Sequence, residues 1–463
     1  MSQFDNPYHN GDPARTAVAP FAGRQGAMAR VGALVSEARR SNGLLFTGWR
    51  SMGKTALLHA IAATMPDSFV GVIVSLQPNI PRDQTALLVT LAETITTALV
   101  DADFTLSRLS QLEPPGEDPR RWFEETFLPP TIGALHANRR LLLMIDDVDR
   151  LIMGVRGGTL PTDLFAYLSG LLTRTPSLHV ILTIDEDYEN DIPALAPLIG
   201  MNDVMRLDPL EPDDIRWLLT APVATEYAFL DEAVRSSQAL TGGFPALAQR
   251  LGYHLYERWS SAPELGTVRA QDVRAVQPAL YLRCEDEHRA LWERLTANEQ
   301  IVLGAISGLH YDDPLRKASA ESIQRWLLET DLPMDISTVQ AALRGLVYRH
   351  LLLTTSEGVV VRAGLFMNWL LENAGARVRT RPPRMAANAP AERRERSQPP
   401  PEAQLPARGV SGRVLRLLAI LLVLVIAANI VVYAIVTNRP TDDAPAGQVP
   451  TATFIQPAIT PLF

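Results

Sequence analysis

Residues 48–55 read GWRSMGKT. Two glycines bracket four residues, and an amine and a hydroxyl follow the second. Glycines let a backbone turn so that successive N–H groups converge, which suits a phosphate group. Lys54 would set one ammonium against β- and γ-phosphates, and Thr55 would offer its hydroxyl to Mg²⁺. The cradle so composed runs through Gly48, Trp49, Arg50, Ser51, Met52, Gly53, Lys54, Thr55 and Ala56. About ninety residues later, LLLMIDDVDR places Asp146 and Asp147 behind an apolar run. Asp146 suits Mg²⁺ held through water. Asp147 suits orienting or deprotonating an attacking water. Asp149 reads as surface charge. HVILTID ends a further apolar run on Thr183, which is either a γ-phosphate sensor or a threonine with strand propensity. Lys54, Asp147 and Thr183 are thus the candidate catalytic side chains.

Such groups need elements that hold them. LLF (44–46), FVGVIVSL (69–76), LLLMID (141–146), HVILTI (179–184) and DVMRLD (203–208) read as strands, apolar throughout. Helical periods fall before and between them, at 28–41, 55–65, 85–100, 121–137 and 162–174. Strands that alternate with helices and are apolar on both faces predict an α/β fold, with a five-stranded parallel sheet covered on both sides. The core so predicted spans 1–208.

From 209 to 295 the strands stop, and the periods predict an all-helical lid. From 296 to 373 the pattern changes again. Thr296 and Glu299 form a capping box, three helical periods follow, and LLLTTSEGVVVRAG reads as two strands around a Ser-Glu-Gly turn. Three helices and a hairpin predict a winged-helix domain. Its third helix carries Arg344, Arg349 and His350, and the wing adds Arg362, yet the helix is mostly apolar (Val339, Ala342, Leu343, Leu346, Val347). That surface favours docking on the lid or on a protein partner over reading DNA.

The net charge of −8 gives no whole-chain basic excess for nucleic acid. The single cysteine, Cys284, excludes an internal disulfide and fits a reducing compartment. No His-Glu-x-x-His spacing indicates zinc, and the polar first twenty residues lack a secretory signal. Residues 374–413 predict a disordered Pro/Arg-rich linker, with ten arginines against three acids between Arg377 and Arg416. LLAILLVLVIAANIVVYAIV (417–436) carries no charge. Twenty residues at 1.5 Å each span roughly 30 Å, a bilayer's hydrocarbon thickness. A transmembrane helix over 414–437 follows. The arginines before it predict a single-pass protein of the cytoplasmic membrane, with the N-terminal domains inside and a short disordered tail (438–463) outside. The linker arginines would then meet anionic lipid headgroups.

The segment NPYHNGDPARTAVAPFAGR resembles the entry stretch of AAA-type and STAND P-loop ATPases, and the cradle and IDDVDR fit the same pattern. LTGGFPALAQRL is similar to the Gly-x-Pro element of STAND lids, at Gly243, Phe244 and Pro245. A winged helix in series also belongs to that pattern and to the related origin-recognition-type ATPases. The resemblance, over residues 5–372, implies ATP and Mg²⁺ as cofactors. It places Tyr8, Phe21, Gly23 and Arg24 near the adenine and Pro245 on the lid side of the nucleotide. This sequence departs from the pattern in three ways. Asp185 stands where STAND ATPases carry an arginine. No lid arginine stands near Pro245, and IPALAPLIGMN supplies no arginine finger. Together with the apolar span, the resemblance and these departures imply a membrane-anchored, nucleotide-gated switch with slow hydrolysis. It would signal through lid and winged helix to a protein partner, with oligomerisation on nucleotide binding open. The alternatives are a DNA-binding, initiator-like ATPase tethered to the membrane, and an ATPase of secretion or cell-wall assembly.

Overall fold

The computed structural model describes residues 6–10, 20–36, 43–77, 80–104, 116–135, 139–199, 203–263, 266–315 and 317–380. The expected membrane span, the tail and the linker from 381 onward lie outside them.

Five strands form one parallel sheet: β1 (Gly43–Gly48), β2 (Phe69–Ser75), β3 (Arg140–Asp146), β4 (Leu178–Asp185) and β5 (Val204–Arg206), in the order β2-β3-β4-β1-β5. Period-two alternation sends neighbouring side chains to opposite faces. Leu44, Phe46, Leu142 and Met144 enter one apolar cluster, while Leu45, Leu141, Leu143 and Ile145 enter another. Both faces are covered, which is why the middle stretches of these strands are mostly apolar. The register pairs Ser75 with Asp146 and Gly48 with Asp185, so the carboxyl ends of four strands align along one edge. The chain leaves β1, skips two positions and re-enters at β2. That switch point opens a crevice at this edge.

Helices flank the sheet. They are α1 (Gln25–Val35), α2 (Lys54–Thr64), α3 (Gln84–Asp101), α4 (Asp149–Arg156) and α5 (Leu164–Arg174). The helix expected over 121–137 is interrupted. It starts at Pro119, widens into a π turn over Trp122–Phe127 and resumes over Leu128–Ala134. Pro129 and Pro130 have no N–H to donate, which breaks the regular ladder there.

Beyond the sheet come α6 (Pro212–Thr220), α7 (Asp231–Thr241), α8 (Pro245–Ser260) and the long α9 (Ala270–Arg294). A two-residue parallel pairing, 228–229 with 267–268, sits among helices where the sequence predicted no strands. Then α10 (Ala297–Asp312), α11 (Ala320–Glu329) and α12 (Ile336–Tyr348) precede an antiparallel hairpin of β6 (Leu352–Thr355) and β7 (Gly358–Val361). The Thr296–Glu299 capping box opens α10. A last helix, α13 (Gly364–Thr380), was not anticipated and runs into the first residues of the expected linker. It buries Phe366, Trp369 and Leu370 in the apolar cluster that also holds one sheet face and the lid, so these helices share a core with the sheet.

Candidate nucleotide site

The loop after β1 is held in an unusual backbone state. Gly48, Ser51 and Gly53 have φ of 158°, 72° and 79°. Gly53 has room for a Cβ, its nearest neighbour being Pro245 Cγ at 3.8 Å, so conformation and not space calls for glycine there. Such left-handed residues turn successive N–H groups inward and deliver the chain to the N-terminus of α2, whose first amides have no carbonyl one turn earlier. Lys54 is buried, and its ammonium donates to the Gly48 carbonyl at 2.7 Å and the Trp49 carbonyl at 3.4 Å.

Beside the loop, the Thr55 hydroxyl donates to Asp146 Oδ2 at 2.6 Å. The Thr183 hydroxyl donates to Asp146 Oδ1 at 2.5 Å and accepts from the Asp147 N–H at 2.9 Å. Thr183 is wholly buried, and its hydroxyl aims Asp146 and anchors the chain at Asp147. Asp147 adopts φ 60°, and its carboxyl is pushed up to about 6, first by burial and then by Asp146 and Asp149, against the pull of Lys54. Asp149 is buried too, where surface charge was expected, and its carboxylate accepts from the Asp185 N–H at 3.3 Å.

These groups open on a cleft of about 1200 Å³. Of the expected residues, Arg50, Ser51, Met52, Gly53, Lys54, Thr55, Ala56, Asp146, Asp147, Phe21, Arg24 and Pro245 line it. Arg24 binds the Asp208 carbonyl at 2.6 Å and the Met52 carbonyl at 2.7 Å, tying the entry segment to the loop. Burial lowers its guanidinium to about 10 against the pull of Asp208 and Asp214.

The others stand elsewhere. Tyr8 is fully buried and does not line the cleft. Its hydroxyl donates to the Leu219 carbonyl at 2.5 Å, and its ring lies so close to Gly252 that a Cβ there would meet it at 2.7 Å. Gly23, at φ 71°, lets the chain pass Asp214, whose Oδ2 would stand 2.6 Å from a Cβ. Trp49 turns into a second cavity of about 360 Å³ with Phe244, Leu247, His288 and Phe366.

Sequence reasoning missed several lining residues. Arg250 and Arg294 both reach the cleft, although no lid arginine was expected near Pro245. Arg250 stands five positions after Pro245 on α8 and grips both oxygens of Glu287 at 2.5 Å. Arg294, at the end of α9, binds Asp185 at 2.7 Å, pairs with Asp187 and lies 4.8 Å over the Trp49 ring. The acid at 185 is thus met by a cation from far along the chain. Only the helical spacing after Pro245 could have flagged Arg250, and no local pattern marks Arg294.

No protein-family model matches this chain, and no curated protein matches it. Among solved structures it is similar to the Walker-type ATPase PABY2304 of Pyrococcus abyssi, with 18% identity and a TM-score of 0.52, covering 76% of this chain and 96% of that one. Cdc6p from Pyrobaculum aerophilum matches at 14% identity and TM-score 0.38, covering 78% and 99%. The Orc1 protein of Aeropyrum pernix, solved in complex with DNA, matches at 16% and 0.40, covering 78% and 95%. At these identities the likeness is one of fold, and the first match supports a P-loop NTPase sheet and its helices.

Proposed function

We propose that this chain binds ATP·Mg²⁺ in the cleft and uses it to set how the helical lid and the C-terminal helices sit on the core. One observation carries the reading: the left-handed loop, the Lys54 ammonium and the Thr55–Asp146 pair meet on the floor of one cleft. Loop amides, helix dipole and ammonium together favour a polyphosphate.

Mg²⁺ fits the donors present. Thr55 and Asp146 are hard oxygen ligands already joined to each other. Among the described residues no cluster of three or more His, Cys, Asp or Glu could cage a metal alone. That suits an ion that keeps waters and takes its remaining ligands from phosphate. Bound there, the ion would neutralise charge on the phosphates during transfer. Asp147, its carboxyl raised towards neutrality, is suited to hold a proton from water. Hydrolysis is expected to be slow, because the two lid arginines that reach the cleft, Arg250 and Arg294, are engaged by acids.

Coupling follows from shared residues. The α8 N-terminus meets the loop through the Ala246 N–H and the Ser51 carbonyl at 3.4 Å. Arg294 joins the cleft acids to the end of α9. A γ-phosphate would compete with Asp185 and Asp187 for that guanidinium and so reweight the docking of everything beyond α9.

The units from 296 onward read as a winged helix used for protein contact, since Arg349 pairs with Asp187 at 3.0 Å instead of facing outward. Roles for Tyr8 and Gly23 become structural in this reading, and Phe21, Arg24 and Pro245 border the nucleotide. Membrane attachment through 417–436, with cytoplasmic domains, rests on composition alone. The test is Lys54→Ala in the whole chain. ATP affinity should fall about a hundredfold or more while circular dichroism and melting stay near the parent's. Unchanged affinity would sink the assignment.

A further inference from the structure

We propose that Gln249 selects the base, its side-chain carbonyl receiving the 6-amino group of an adenine at the apolar end of the cleft. The inference rests on the nucleotide reading above. The cleft is chemically two-ended. Lys54, Thr55 and Asp146 make one end ionic, while Phe21, Ala22, Leu210 and Leu218 line the other. A nucleotide has the same polarity, phosphates at one end and a flat apolar base at the other. Gln249 stands at the second end, next to Ala248, which shares an apolar cluster with Ala22, Leu210 and Leu218.

Its amide is fixed. Nε2 donates to the Pro20 carbonyl at 2.7 Å, which assigns the remaining atom as the oxygen. Gln249 is 4% exposed and lines the cleft, and its Oε1 is buried with no hydrogen-bond partner. A buried acceptor without a donor is costly, and a ligand that supplies the donor recovers that cost on binding. Adenine carries N–H at position 6. Guanine and hypoxanthine carry oxygen there, which sets acceptor against acceptor.

The experiment is calorimetric titration of the whole chain, with Mg²⁺, using ATP and purine riboside triphosphate, which lacks only the 6-amino group. The parent should bind ATP about ten- to a hundredfold more tightly. Gln249→Leu should bring ATP down to the analogue's affinity and leave the analogue within about threefold of its parent value. Gln249→Glu, which keeps an acceptor but loses the bond to Pro20, should still discriminate. Equal affinity of the parent for both triphosphates overturns the inference alone. Equal weakening of both ligands in Gln249→Leu, with discrimination intact, shows that the residue only holds Pro20 and also overturns it. No saturable binding of either overturns the nucleotide reading and this inference with it.

Discussion

On the floor of the cleft, Thr55, Thr183 and Asp146 satisfy one another through hydrogen bonds, with Asp146 and Thr183 nearly sealed from water. On the shoulder beside it, Asp185 at the end of β4, with Asp187 and Glu189 just after, meet Arg294, Arg349 and Tyr348 from 107 to 162 residues away. The shoulder side chains of Arg294, Arg349 and Asp187 keep 28%, 22% and 27% of their surface. Partly wet ion pairs are screened by salt and can exchange partners, whereas a buried hydrogen-bonded network holds one geometry. The floor is therefore preorganised for a ligand, and the shoulder is the part able to let go.

The floor breaks most sharply at Asp146→Asn. The parent should bind ATP more tightly with Mg²⁺ than with EDTA, and the variant should lose about ten- to a hundredfold of that difference. An Asn variant with the parent's full metal dependence would remove Asp146 from the metal site. The shoulder breaks at Asp187→Asn, which cuts pairs to both Arg294 and Arg349. Docking of the C-terminal helices should weaken by about 1–2 kcal/mol, read as faster amide exchange over 336–361, and the effect should shrink in high salt. ATP affinity should hold or rise a few-fold, because Arg294 loses one of its two acids beside the cleft. A drop like that of Lys54→Ala would erase the distinction between floor and shoulder.

The same contrast explains what the sequence let one read. The loop is a contiguous pattern whose glycines answer a local backbone demand, and its metal partner ends an apolar strand, so both carry local signatures. The sheet was legible because burial on both faces writes itself as unbroken apolar runs. Thr183 was picked out with its role left open, since a threonine at a strand end looks the same whether it faces ligand or a neighbouring carboxylate. Tyr8 was placed by resemblance, whereas its ring is spent filling the space beside Gly252. The shoulder left no trace, because a salt bridge across 162 residues has no spacing to recognise. Helix α13 hid for a related reason: its apolar residues answer a core assembled from distant elements.

A subtler probe of the shoulder is Glu186, whose carboxylate binds Arg206 at 2.6 Å while almost fully buried. Burial dominates, and the carboxyl is raised from 4.5 to about 7 in spite of Arg206. A raised folded value means that the native state holds the proton more tightly than the unfolded chain does. The associated stability is complete below pH 4.5 and is lost as pH climbs through about 7. Glu186→Gln removes that titration, so parent and variant melting curves should converge or cross as pH rises from 4.5 to 7.5. The relative change should be on the order of 1 kcal/mol. Parallel curves would mean that Glu186 titrates normally.

The smallest change expected is at Tyr348, and it separates charge from contact on the shoulder. The Tyr348 hydroxyl donates to Glu189, whose other oxygen accepts from Thr47 at 2.8 Å. The Arg206 guanidinium lies 3.7 Å over the tyrosine ring. Tyr348→Phe deletes the hydroxyl and keeps the ring, and Glu189 keeps its bond to Thr47. Tyr348 as a residue is more than half exposed, so water can replace the lost donor. Phe should therefore cost only about 0.5–1 kcal/mol in urea unfolding. Tyr348→Ala should cost visibly more, because it also removes the cation–π contact. If Phe proved as damaging as Ala, the hydroxyl and its carboxylate, not the ring under Arg206, would be what holds α12 to the core.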